Sequence, residues 1–266
     1  MSVSLEDGTT GVFNFTPIRV VFSVPPTDVK LKLEPSVVGE VTVQGNELVF
    51  VPQEKFSPNT TYTLEIHWKD GERQLNFTSI NEIAELYYTD FTGFELDQFP
   101  AGWLPFNPLD AADFKVVELA EASGGRALMG FDGGRANAHA VMPTVTLLHA
   151  DSDILVETTV WLSTGEFTGV YLYHGQPTWP PYASIADVGK YFADENLRSY
   201  KLGVVFRLAD QKVDVYVDYK PLMTGVDFRT STPAGNLSYA VGLFFNGDGN
   251  STDVYWGDIR ISEIGR

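Results

Sequence analysis

The chain has 266 residues, 44% of them hydrophobic and 13% aromatic, which is enough for one large or two ordinary folded domains. Its 35 acidic against 18 basic residues leave a net charge of -17, a field that repels phosphate backbones and excludes nucleic acid as a partner class. There is no cysteine, hence no disulfide or thiolate metal site, and no apolar run approaches the roughly eighteen residues that span a bilayer, so no membrane insertion is expected.

From Pro17 to Thr78 the chain reads as short strands: Ile18–Phe22, Lys30–Leu33, Gly39–Val43, Glu47–Val51, Thr61–Ile66 and Gln74–Phe77. Apolar residues alternate with period two and are interrupted by Pro, Asn-Glu and Asp-Gly, which predicts a small antiparallel β-sandwich over residues 1–80. The Pro58-Asn-Thr-Thr61 stretch is a chain reversal, and Tyr62 behind it is placed to close the core as a tyrosine corner. The segments Glu6-Asp-Gly-Thr-Thr-Gly-Val12, Thr16-Pro-Ile-Arg-Val-Val-Phe-Ser23, Leu48-Val-Phe-Val-Pro52 and Phe56-Ser-Pro-Asn-Thr-Thr-Tyr-Thr-Leu64 resemble the bacterial Ig-like domain of S-layer proteins and secreted glycan-degrading enzymes. That resemblance implies a spacer, working outside the cell between neighbouring domains of a larger polypeptide. The absence of a leader-like pattern after Met1 is the expectation for a fragment of such a polypeptide.

Residues 79–86 read as a short polar connector. Beyond it, over 87–266, longer strands are predicted at Ile154–Leu162, Gly169–Tyr173, Tyr200–Arg207, Lys212–Val217, Tyr239–Phe245 and Val254–Ile261, with a tight turn at Ala209–Lys212. Long antiparallel strands without a helical period predict a jelly roll. The expected fold class is therefore all-β, a small Ig-like sandwich followed by a larger jelly-roll sandwich. The opening segment Asp90–Trp103, the stretch Val204–Val217 and the closing segment Asp253–Ile261 resemble the concanavalin A-like lectin/glucanase fold in its laminin G-like branch. That fold hosts lectins, carbohydrate-binding modules, glycosidases and lyases, so function has to be argued from the site.

Enzymes of that fold have recognisable strands, and this chain departs from them. A retaining glucanase needs two carboxylates about 5 Å apart, supplied as Glu-x-Asp-x-Glu; the nearest match, Glu95-Leu-Asp97-Gln-Phe99, ends in Phe and runs into the Pro100-Ala-Gly turn. The lyase strand needs a Tyr or His base and a polar neutraliser; Ser199–Arg207 keeps the Lys and Gly of that pattern but has Val205 and Arg207 where Tyr and Gln belong. His67, His139, His149 and His174 have no zinc-ligand spacing. Gly124-Gly125 and Gly133-Gly134 read as hairpin turns around Arg126–Phe131, and Trp103, Trp161 and Trp256 read as core.

The same resemblance implies a structural Ca2+ shared by an acid near the first strand and an Asp on the last, because hard oxygens suit that ion. Glu95 and Asp258 hold those positions and Asp90 could assist. The acidic loop Asn246–Asp253 reads as a turn.

The stretch Tyr171 to Tyr182, YLYHGQPTWPPY, is the clearest candidate for binding. Prolines stiffen it, and the connection continues to residue 199, a length often associated with function. Sugars present apolar C–H faces and polar rims, so their sites combine a flat aromatic with hydrogen-bonding groups. Tyr173, His174, Gln176, Trp179, Tyr182 and Arg198 supply that mixture, with Asp187 nearby. Folding Trp179 back as packing is the alternative. The resulting expectation is a non-catalytic polysaccharide-binding module at a bacterial cell surface or in the extracellular medium. Two rivals are a polysaccharide lyase or hydrolase built around His174, Tyr173 and Arg198, and a structural surface-layer or adhesin segment.

Overall fold

A computed structural model describes residues 1–14, 16–107, 109–130, 138–162, 167–174, 181, 183–185, 198–230, 236–246 and 253–265. They divide into two units, Met1–Ile83 and Ala84–Ile264, each with its own hydrophobic core. Among the described residues the regular structure is strand, apart from 3-10 turns at Asp110–Ala112 and Ser123–Gly125. The all-β expectation holds.

The first unit contains β1 (Ser2–Val3), β2 (Thr9–Val12), β3 (Ile18–Val21), β4 (Lys30–Glu34), β5 (Gly39–Gln44), β6 (Glu47–Pro52), β7 (Thr61–Trp68) and β8 (Gly71–Ser79). They form two four-stranded sheets, ordered β1-β3-β6-β5 and β2-β8-β7-β4. Period-two patterning decides what is buried: Leu48 and Phe50 of β6 and Tyr62, Leu64 and Ile66 of β7 turn inward, each contributing about 1.5–3 kcal/mol of burial as a class. The Tyr62 ring stacks on Phe77 with centroids 5.3 Å apart, and its hydroxyl accepts the Ser57 backbone N–H at 2.7 Å, the corner read from the sequence. One pairing differs from the antiparallel expectation, since β2 runs parallel to β8.

Residues 79–86 are not a plain connector. Strand β9 (Glu82–Thr89) forms there and pairs with the last strand of the chain. Burial alternates along Glu82-Ile-Ala-Glu-Leu86, with Ile83 and Glu85 on the exposed side, as in a strand with one wet face.

The second unit continues with β10 (Leu104–Pro105), β11 (Phe114–Glu118), β12 (Arg126–Gly130), β13 (Ala138–Val141), β14 (Val145–Thr146), β15 (Asp153–Leu162), β16 (Phe167–His174), β17 (Ala183–Ile185), β18 (Arg198–Arg207), β19 (Lys212–Val217), β20 (Lys220–Asp227), β21 (Ser238–Asn246) and β22 (Val254–Ile264). One sheet is ordered β10-β13-β21-β16-β17, with β14 also on β21. The other is ordered β11-β12-β22-β15-β18-β19-β20, with β9 also on β22. Every register recorded in these two sheets is antiparallel. The six strands expected here all form, and the turn before Lys212 lies where the sequence placed it.

The core lies between the sheets. Ile154, Val156 and Val160 of β15, Leu202 and Val204 of β18, and Trp256, Ile259 and Ile261 of β22 meet Val170, Leu172, Val241 and Leu243 from the facing sheet. Trp103 is also interior, donating its indole N–H to the Tyr87 hydroxyl at 3.0 Å. Gly124 and Gly125 form the β11–β12 turn with φ of 71° and 72°, a left-handed conformation glycine adopts without a Cβ clash. Gly133-Gly134 lies outside the described residues.

Candidate functional site

The outer face of the β13-β21-β16 sheet carries part of the aromatic stretch. Tyr171 and Tyr173, two residues apart on β16, project from the same side and stack with centroids 6.2 Å apart. Gly242 of β21 lies opposite Tyr171, and a Cβ built there would sit 2.9 Å from the Tyr173 ring, so the missing side chain makes room for that tyrosine. His139 of β13 enters the same cluster. Its Nδ1 and the Tyr173 hydroxyl share a 2.7 Å hydrogen bond, Phe106 and Phe244 pack around it, and its backbone N–H donates to Asp110 Oδ2. Burial favours the neutral imidazole and lowers the His139 pKa to about 4; burial likewise pushes the Tyr173 hydroxyl above the usual phenol range.

This face is closed to solvent. Tyr173 is 1% exposed and His139 2%, so neither ring offers a stacking surface. Tyr173 acts here as packing and as the hydrogen-bond partner of His139. His174 is opposite Tyr239 at the end of β16, while its side chain, with Gln176, Trp179, Tyr182 and Asp187, lies outside the described residues. Arg198 stands elsewhere: it opens β18 opposite Leu162, with its guanidinium 5.3 Å over the Tyr200 ring. Arg198 and Tyr173 thus stand in different sheets, on β18 and β16.

A second face carries an open site. The outward residues of β15 are Glu157, Thr159 and Trp161, alternating with the core residues Val156, Val160 and Leu162. Thr159 pairs with Lys201 and Trp161 with Ser199 across β15–β18. On the other side, a bulge between Thr158 and Val160 interrupts the β15–β22 register. Trp256 and Ile259 both point into the core, so the two residues between them swing outward. That turns Asp258 toward Thr159.

The result is a groove of about 400 Å3 lined by Glu121, Ser123, Thr159, Trp161, Ser199, Lys201 and Asp258, within the roughly 300–1,000 Å3 of small-molecule sites. On its floor the Lys201 ammonium donates to Thr159 Oγ1 at 2.6 Å, and Thr159 donates to Asp258 Oδ1 at 3.0 Å. The Lys201–Asp258 pair is 3.9 Å apart and partly exposed, so it is worth at most about 1 kcal/mol and organises the floor more than it stabilises the fold. Trp161 is 7% exposed and is held by Ala122, Ala127, Leu119 and Tyr255; it presents a fixed apolar edge. Its sequence reading as core holds: it is buried, in a small cluster of its own with Ala122 and Ala127.

Of the candidate calcium ligands, Asp90 and Asp258 have partners within the chain. Asp90 accepts the Thr92 backbone N–H and hydroxyl, which hold its carboxyl below the usual range. Glu95 is exposed on a non-strand segment, and Asp258 is engaged by Thr159 and Lys201. Among the described residues no three His, Cys, Asp or Glu side chains gather as a metal site. Asp97, part of the glucanase-like match, pairs with Lys115 at 3.1 Å.

No protein-family model matches the chain, and no curated protein matches it. Solved structures that resemble it include a carbohydrate esterase from Shiga toxin-encoding bacteriophage phi24B, 12% identical, covering 69% of this chain and 99% of that one with a TM-score of 0.44. TmCBM61 in complex with β-1,4-galactotriose is 10% identical, with coverage of 67% and 97% and a TM-score of 0.40. The carbohydrate recognition domain of Emp47p is 13% identical, with coverage of 70% and 98% and a TM-score of 0.40. These scores all lie below 0.5, and no ligand or activity is transferred from them.

Proposed function

We propose that the second unit is a carbohydrate-binding module whose ligand lies in the groove on the outer face of β22, β15 and β18. The observation that carries this reading is the meeting of an immobilised indole edge with hydroxyls and an ordered Lys201–Thr159–Asp258 relay in one open groove. An apolar edge beside fixed donors and acceptors matches the C–H face and hydroxyl rim of a sugar. Rigid packing of Trp161 keeps the ordering cost of binding small.

Binding without chemistry is favoured by the state of the His139–Tyr173 pair. His139 and Tyr173 are buried and bonded to each other, and a general base must come within hydrogen-bond reach of a substrate proton. The first unit is read as a spacer, and the whole as part of a larger extracellular polypeptide that meets polysaccharide.

Affinity electrophoresis against neutral, anionic and amine-bearing polysaccharides, with reducing-end and unsaturated-product assays on the same mixtures, tests this reading. Retardation without products is expected. New reducing ends or unsaturated products would make the chain an enzyme, and neither retardation nor products across the panel would favour the structural surface-segment reading.

A further inference from the structure

Three residues from distant parts of the first unit meet on one carboxylate. Glu82 Oε2 accepts a hydrogen bond from Asn14 Nδ2 and another from the Lys55 ammonium at 3.2 Å, while Lys55 Nζ also lies 3.1 Å from Oε1. The main chain fixes this meeting. The Phe56 N–H donates to the Asn14 carbonyl at 3.0 Å, the Ile80 N–H to the Val12 carbonyl at 2.8 Å, and the Glu82 N–H to the Ile80 carbonyl at 3.0 Å. The segments that carry the amide, the amine and the acid are thus tied to one another.

The trio differs from a surface ion pair. Asn14 is 3% exposed and the Glu82 side chain 8%, and their chain neighbours Phe13, Phe56 and Ile80 are buried apolar residues. Among the described residues Asn14 Oδ1 has no hydrogen-bond partner. Buried carbonyls rarely go unpaired, and each exception calls for an explanation. A carboxamide that is a reactant and not a structural group supplies one.

We infer that Lys55 and Asn14 become joined by an isopeptide bond, with Glu82 carrying the protons. Within the 3.1 Å hydrogen bond the ammonium gives a proton to Glu82, which exchanges two charges for two neutral groups, as a water-poor site favours. The amine so formed is a nucleophile, and its Nζ attacks Asn14 Cγ. The Nζ–Cγ bond forms, the Cγ–Nδ2 bond breaks, and Glu82 relays to Nδ2 the two protons that Nζ gives up. Ammonium leaves and the carboxylate is restored, so nothing is oxidised or reduced and no co-reactant is consumed. Lys55 is partly exposed, which gives the ammonium a way out. The product ties the segment after β2, in one sheet, to the segment after β6, in the other. Like a disulfide it constrains the unfolded chain, in a protein that has no cysteine.

The test is the intact mass of the purified full chain. The wild type is expected to be one ammonia lighter than its sequence, about 17 Da, and its protease digest to contain a branched peptide joining Asn14 to Lys55. Lys55→Arg and Glu82→Gln are expected at the full mass of their sequences, without the branched peptide and with melting temperatures lower by several degrees. A wild type at its full sequence mass would overturn the inference. So would the same deficit in Lys55→Arg, or a deficit without the branched peptide, which is the mark of a succinimide at an asparagine. A branched peptide that persists in Glu82→Gln would remove Glu82 from the chemistry.

Discussion

The indole of Trp161 occupies the space that a side chain on Gly257 would need: a Cβ at that glycine would lie 2.8 Å from the ring. The bulge in β22 and this glycine together seat the tryptophan against the sheet and open the groove beside it. Gly257→Ala should therefore push the indole out of place, costing about 1–3 kcal/mol in urea unfolding and lowering glycan affinity. Wild-type stability in that variant would show that the ring is not held by the missing Cβ.

The β19–β20 turn is strained instead: Asp218 and Tyr219 take φ of 48° and 63°, in the left-handed region. Replacing the pair with Asn-Gly should stabilise the unit by about 1 kcal/mol, read as a higher urea midpoint. An unchanged or lower midpoint would mean that the two side chains contribute more than the turn strain costs.

His139 gives the fold an acid-sensitive element. Its folded pKa of about 4 lies below the unfolded value of about 6.5, so between those values the unfolded chain binds more protons and stability rises with pH. The contribution is complete above about pH 6.5 and is lost as pH falls toward 4, to a limit of about 3 kcal/mol. Denaturant midpoints measured across that window should fall with acid in the wild type and fall less in His139→Phe. Parallel curves would mean that the imidazole is not the titrating group.

Glu263 anchors the segment before β15. Its carboxylate is inaccessible and accepts the backbone N–H groups of Leu148 at 2.7 Å and His149 at 2.9 Å. Burial alone would raise its pKa, but hydrogen bonds from Leu148, Ser152 and His149 outweigh it and hold the acid below its usual range. Such a group stabilises the fold above the unfolded carboxyl pKa and loses that contribution as pH drops through the folded value. Glu263→Ala should cost about 2–4 kcal/mol by orphaning those donors, read as a lower thermal midpoint; loss of less than half of that would place the anchor elsewhere.

Most of the scaffold was legible because alternation reports burial directly. Ile18, Val20, Leu48, Phe50, Tyr62 and Leu64 announce their strands, and Val156, Val160, Val204 and Ile261 do the same in the second unit. Segments of two or three residues carry no period, which is why β10, β14 and β17 could not be read, and in β13 the short Ala-His-Ala-Val run gives no alternation. The groove was legible only in half. Glu157-x-Thr159-x-Trp161 is a polar–aromatic row visible in β15 itself, yet Lys201 joins it through a strand register and Asp258 through a bulge, and neither is encoded in local composition. The run YLYH suggested exposed aromatics; Tyr171 and Tyr173 are instead covered, because apolar side chains on both faces of a strand signal burial on both faces.

The most direct measurement compares Lys201→Met with Trp179→Ala, titrating each against whichever glycan the wild type retains. The groove account predicts that Lys201→Met, on a half-exposed side chain, keeps the melting temperature and loses binding by about tenfold or more, while Trp179→Ala binds as the wild type does. Binding abolished by Trp179→Ala and untouched by Lys201→Met would contradict it and return the site to YLYHGQPTWPPY.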